Sequence, residues 1–87
     1  MGVYGQSSRK YIKAGEEFIR NNMFDDAIDQ FSRAIEESPA SAEGYVKRAR
    51  VYEMTGNYGL ACDDYKRAVN FMPDDTGILY NLARMCN

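Results

Sequence analysis

The chain has no histidine, so any acid–base or metal chemistry would have to rest on carboxylates and thiols. The carboxylates come largely as adjacent pairs: Glu16-Glu17, Asp25-Asp26, Glu36-Glu37, Asp63-Asp64 and Asp74-Asp75. Neighbours along a helix project about 100° apart, so the members of such a pair do not converge on one reacting atom. They read as solvated helix faces and helix starts. The two cysteines, Cys62 and Cys86, are far apart in sequence. They outline no disulfide framework and, without histidine, no Cys/His zinc site. Two scattered thiols fit a reducing intracellular compartment, with the cytoplasm as the expected location. Gly2, Gly5, Gly56 and Gly59 have no strand–turn–helix context in which to cradle a phosphate. Tyr11, Tyr45, Tyr52, Tyr58 and Tyr65 could in principle stack single-stranded bases, but a net charge of −2 lacks the basic excess of a nucleic-acid binder. The expectation is a chain with no catalytic residue, no cofactor, no metal and no nucleic-acid partner.

Helices must position whatever remains. The apolar residues Tyr11, Ile12, Ala14, Phe18 and Ile19 recur at helical spacing, as do Ala27, Ile28, Phe31, Ala34 and Ile35. No stretch alternates with the period of two that marks a strand. The first helix is expected to start with Ser7 or Ser8 as N-cap and to end at Asn21-Asn22, since Asn tolerates a left-handed helix exit. A second helix follows over residues 24–37, with Asp25 and Asp26 favourable in its first turn and Pro39 stopping it. Ser41 caps a third helix over 42–55, and Gly56-Asn57 makes the turn after it. Asn57 caps a fourth over 58–72, ended by Pro73, and Asp74 or Asp75 caps a fifth. Turns of a few residues force neighbouring helices into antiparallel hairpins.

The segments repeat each other at an offset of 34 residues. Tyr11 falls on Tyr45, Phe18 on Tyr52, Phe24 on Tyr58, Ala27 on Ala61, Phe31 on Tyr65, Ala34 on Ala68 and Pro39 on Pro73. Self-similarity at such a period marks a stacked array of supersecondary units. The pattern resembles the tetratricopeptide repeat, a 34-residue helix–turn–helix unit. Tyr11, Gly15, Phe18, Ala27, Phe31, Ala34 and Pro39 occupy the family's slots in the first copy. Tyr45, Ala49, Tyr52, Ala61, Tyr65, Ala68 and Pro73 occupy them in the second, and Leu79, Leu82, Ala83 and Cys86 begin a third. Ala14 and Arg48 stand where the family usually has Leu, and Met23 where a polar cap usually opens the second helix. The resemblance implies an all-α right-handed superhelix of five antiparallel helices. Residues 1–7 would be a flexible leader, with repeats at 8–41 and 42–75 and a terminal helix at 76–87. Gly15, Ala27, Ala34, Ala49, Ala61 and Ala68 would let helices approach closely while the aromatic residues, the five tyrosines among them, fill the core. By register Cys62 is a small buried hydrophobe, and Cys86 a half-exposed residue in an aromatic slot.

The resemblance also implies a site. In arrays of this kind the first helix of each unit lines a concave groove, which stacked repeats extend into a binding surface. Carried over by register, the groove takes Arg9, Ile12, Lys13, Glu16 and Arg20 from the first repeat. Glu43, Val46, Lys47, Arg50 and Met54 come from the second, and Tyr80, Asn81 and Arg84 from the last helix. Basic side chains outnumber acidic ones there, with Ile12, Val46, Met54 and Tyr80 between them. The partner expected is another protein, through an acidic or carboxylate-bearing peptide with apolar anchors. The alternative is self-association, or stacking on further repeats through Leu79, Leu82 and Cys86. A third reading, the clamp by which co-chaperones of the family grip a chaperone's terminal carboxylate, meets Ile12, Glu16 and Lys47 where it wants Lys and Asn. No apolar run approaches the roughly 18 residues of a membrane span, and no membrane partner is expected.

Overall fold

A computed structural model describes the backbone of residues 4–86 and the side chains of 8–86. Five helices follow in order: α1 (Tyr4–Arg20), α2 (Phe24–Glu37), α3 (Ala42–Met54), α4 (Tyr58–Phe71) and α5 (Thr76–Met85). There is no strand among the described residues. Helix α1 pairs with α2 and α3 with α4 as hairpins, α2 packs on α3 to join the hairpins, and α5 closes against α4. One expectation needs correction at once. Helix α1 begins at Tyr4, ahead of Ser7 and Ser8, so neither serine opens it and residues 4–7 belong to the helix. The rest of the expected leader, residues 1–3, lies outside the described residues.

Both hairpins turn by the same device. After α1, Asn22 takes the left-handed conformation at φ 59°. Its N–H donates to the Ile19 carbonyl, and the Met23 N–H donates to the Phe18 carbonyl, each at 2.9 Å. After α3, Gly56 does the same at φ 80°, with Gly56 N–H on Glu53 O at 3.1 Å and Asn57 N–H on Tyr52 O at 2.8 Å. This paired closure satisfies helix-end carbonyls that would otherwise lack partners. Asn57 precedes α4, but its side chain does not cap that helix; its amide donates to Thr55 Oγ1 instead. Ser41 and Asp75 do cap α3 and α5, accepting from the Glu43 and Ile78 N–H groups. The residues before the two prolines, Ser38 and Met72, leave the helix with the same backbone angles, φ −138° and ψ 70°. A residue before proline is pushed out of the helical region in this way.

The core repeats with the sequence. Ala27 and Ala61, Phe31 and Tyr65, Ala34 and Ala68 are all buried, as are Gly15 and Ala49. The close approach is tightest at Gly15: a Cβ there would lie 2.4 Å from Cε1 of the fully buried Phe31 ring. Tyr58 departs from the pattern. It is exposed at the start of α4 and is not a core filler, although it aligns with the half-buried Phe24.

Two features escaped the sequence. Arg48 and Asp64 form an ion pair between α3 and α4, with Nε to Oδ2 at 2.7 Å and Nη2 to Oδ1 at 2.9 Å. Asp64 is 1% exposed, so it is not part of a solvated face. Arg48 also donates to Ser32 Oγ of α2 at 2.9 Å, and Arg67 adds a contact to Asp64 at 3.1 Å. The pair thus joins three helices. Cys62, in α4, and Cys86, just past α5, are bonded as a disulfide with Cα atoms 5.0 Å apart. The expectation of two unlinked thiols is therefore corrected: α5 folds back antiparallel on α4 and brings together residues separated by 24 positions. No described helix is long and apolar enough to cross a membrane.

Gly15→Ala should lower stability by about 1–3 kcal/mol through overpacking on Phe31, although alanine is the better helix former by about 1 kcal/mol. Gly59→Ala, where the added Cβ meets nothing within 4 Å, should be neutral or stabilising by up to about 1 kcal/mol. Urea unfolding of both variants reads the signs, and a matching sign would contradict the close approach. Asp64→Ala should cost about 3 kcal/mol or more by stranding Arg48. Adding Arg48→Ala and making position 64 Gln, which copies Ala14 and Gln30 of the first repeat, should recover a good part of that loss in the same assay.

Candidate peptide-binding face

Helices α1, α3 and α5 carry the thirteen expected site residues, and the structure divides them into groups that the sequence did not. Ile12 drops out. It is 1% exposed and belongs to the core with Ala27, Phe31, Ala34 and Val51, so it offers nothing to a ligand. The hydrophobic stripe of α1 is wide enough to take in this position, where register alone placed it on the open face.

Three of the expected cations already hold carboxylates of their own chain. Arg9 grips Glu43 through two nitrogens, at 2.6 and 3.2 Å. Lys47 meets Glu16 at 2.6 Å. Arg84 meets Glu53 at 3.0 Å and also donates to Asn81 Oδ1 at 2.8 Å. Glu53 in turn accepts the hydroxyl of the buried Tyr65. Burial, together with that carboxylate, pushes the Tyr65 hydroxyl above the usual tyrosine range. Arg20 pairs within its own helix, with Glu17. The excess of positive charge that register gave the groove is therefore largely neutralised in place. Exposed pairs of this kind hold adjacent helices in register and contribute little net stability each.

The pairing has a sequence signal. Arg9 and Glu43 are 34 residues apart, the same slot in successive repeats. Glu16 to Lys47 and Glu53 to Arg84 are each 31 apart, one helical turn short of the repeat. Stacked first helices bring both offsets side by side. Arg50 makes no such pair: at the offset of 31 it meets Ile19 and Asn81, at 34 it meets Arg84 and Glu16, and Glu16 is held by Lys47. Among the described residues only Lys13 and Arg50 of the expected groove cations make no ion pair.

Arg50 stands between two recesses. One, of about 320 Å³, lies between α3 and the start of α5 and includes Val46, Lys47, Arg50, Ile78 and Asn81. The other, of about 330 Å³, includes Arg50, Glu53, Met54, Tyr65, Asn81 and Arg84. Arg50 and Asn81 line both. Met54 and Tyr80 are exposed apolar surface nearby on the same two helices, at 50% and 66%, and the Arg84 guanidinium lies 5.5 Å from the Tyr80 ring centre. Among the described residues the arrangement offers one unpaired cation, Arg50, and one amide, Asn81, between two shallow recesses, with apolar side chains on α3 and α5 and the carboxylates of Glu43 and Asp75 also lining the first.

The hydrogen bond from Lys47 holds the Glu16 carboxyl below the usual carboxylate range, against a smaller opposing effect of burial. A depressed carboxylate contributes stability that is present above its unfolded value, near about 4.3, and is lost as pH falls through the lower folded value. Acid unfolding should therefore show a loss below about pH 4 that Glu16→Gln makes shallower. Circular dichroism from neutral to acid pH checks it, and superimposable profiles would remove Glu16 from the account.

Comparison with known proteins agrees with the architecture. Residues 42–75 match the family model described as tetratricopeptide repeat. The chain is 24% identical over 78 residues to human protein O-mannosyl-transferase TMTC1, covering 90% of this chain and 9% of that protein. It is 38% identical over 61 residues to the protein SGT1 homolog of Oryza sativa subsp. japonica, covering 70% of this chain and 16% of the relative. The chain thus spans less than a fifth of the length of either relative.

Proposed function

We propose that this chain, which resembles the tetratricopeptide repeat family and carries a match to its model in the second repeat, is a non-catalytic interaction module that binds another protein. The family is one of protein–protein interaction, and the finer reading concerns what is bound and where. An extended peptide lies across α3 and α5, places a carboxylate on Arg50 and Asn81, and sets apolar side chains on Val46, Met54 and Tyr80. The observation that carries this is Arg50: among the described residues it makes no ion pair, and it lines both recesses. A carboxylate reaching it displaces no internal partner, whereas one reaching Lys47 would have to compete with Glu16.

Two other readings have less support. The chaperone-carboxylate clamp wants open Lys and Asn slots; Ile12 is buried and Glu16 is held by Lys47. Self-association rests on exposed apolar residues around the end of α4 and on α5, namely Phe71, Met72 and Leu79. The transferase in the name of the human relative is a protein of which this chain spans 9%. Among the described residues no set suggests that its activity extends to this segment.

A labelled ten-residue peptide alternating Glu and Leu, with a Lys-for-Glu counterpart, tests the proposal by fluorescence anisotropy. The Glu peptide should bind and the Lys peptide should not. Arg50→Glu should weaken the Glu peptide by tenfold or more, which is about 1.4 kcal/mol per decade, and Lys47→Glu should weaken it less. Binding of the Glu peptide unchanged by Arg50→Glu would overturn the assignment.

A further inference from the structure

Helix α5 is the least anchored of the five. It has 10 residues and only Ile78 is buried, with Leu82 and Met85 packed partly against the core of the second hairpin. A lone helix of that length is marginal in water, so α5 depends on its tertiary anchors. Its N-terminal end has the Asp75 cap and Ile78, its middle has Leu82 against the core of the second hairpin, and its last turn has the exposed Arg84–Glu53 pair. Its C-terminal end is held by Cys86, the C-cap residue, through the bond to Cys62 of α4. Both cysteines are half-buried, so a small exchanging thiol can reach them. The same helix supplies Tyr80, Asn81 and Arg84 to the candidate face.

We propose that Cys62–Cys86 is a redox-operated clamp on α5. With the bond formed, α5 is docked along its whole length and the α3–α5 face is complete. With the bond opened, α5 loosens from its C-terminal end, and Arg84 and Asn81 leave their positions beside Arg50. The consequence for binding rests on the peptide reading above, whereas the loosening of α5 does not. Closure takes place by thiol–disulfide exchange with a low-molecular-weight disulfide such as glutathione disulfide. One protein thiolate attacks a sulfur of that disulfide, forms a mixed disulfide and releases one glutathione thiolate. The second protein thiolate attacks the protein-bound sulfur, forms the Cys62–Cys86 bond and releases the other glutathione. Two electrons pass from the protein dithiol to glutathione disulfide, and the two protons the protein gives up are taken by the two glutathione thiolates. In an oxidising compartment the clamp stays closed, and in a reducing one it is open or cycles.

Hydrogen exchange on the full chain tests this, with the protein oxidised by glutathione disulfide, reduced by dithiothreitol, or carrying Cys62→Ser and Cys86→Ser together. The amides of residues 76–85 should exchange at least tenfold faster in the reduced and serine forms, while those of α2 and α3 keep their protection. Equal protection of α5 in all three forms overturns the clamp. So does faster exchange throughout the chain, because the bond would then be a global staple. The Glu–Leu peptide, titrated against the oxidised and reduced forms, should bind the oxidised form more tightly. Failure of the oxidised chain to bind it counts against the peptide reading and leaves the exchange result to decide the clamp.

Discussion

The ion pair between Arg48 and Asp64 is the interaction on which the second hairpin and its junction with the first depend. A carboxylate 1% exposed is tolerable only because it is fully engaged. Arg48 supplies two parallel hydrogen bonds and Arg67 a third. The remaining Arg48 nitrogen reaches Ser32, so the guanidinium is also committed to α2. Breaking such a pair on one side leaves a charge without water or partner, which is why its removal costs more than its presence contributes. The first repeat handles the same two slots without charge, as Ala14 and Gln30. The second repeat is therefore the one whose geometry is specified by direction as well as by packing.

Charge on the other side of the array follows a different rule. Arg9, Lys47 and Arg84 are bridged to Glu43, Glu16 and Glu53 across successive first helices. These pairs align α1 with α3 and α3 with α5, and they reduce the field that the face presents. On the proposed reading a ligand would meet a nearly balanced surface, with Arg50 beside Asn81 as the unpaired cation between the two recesses. Selectivity would then come from matching one carboxylate and a few apolar side chains to that point. General attraction of an acidic partner to a basic groove would play little part.

Helix α5 connects fold and face. It buries little of its own surface and yet provides Tyr80, Asn81 and Arg84. Its position is set from outside itself, by the Arg84–Glu53 pair and by the bond from Cys86 to Cys62. The face is thus as well ordered as the weakest helix that lines it.

Sequence by itself determined the five helices, the hairpin turns at Asn22 and Gly56, the exits before Pro39 and Pro73, and the small-against-aromatic core. Each of these is a local or periodic property: a left-handed turn residue, a proline, or an apolar residue recurring every 34 positions at the same slot. Tertiary structure alone decided the burial of Ile12 and Asp64, the exposure of Tyr58, the self-pairing of the groove cations and the Cys62–Cys86 bond. Those depend on which side chains meet across two helices, and residue type does not show whether a charge faces water or another charge. The offsets of 31 and 34 that join the groove pairs were present in the sequence, but they acquire meaning only once the first helices are known to lie side by side. The cysteine bond had no such signal, because it follows from α5 folding back on α4 rather than from any repeat of the pattern.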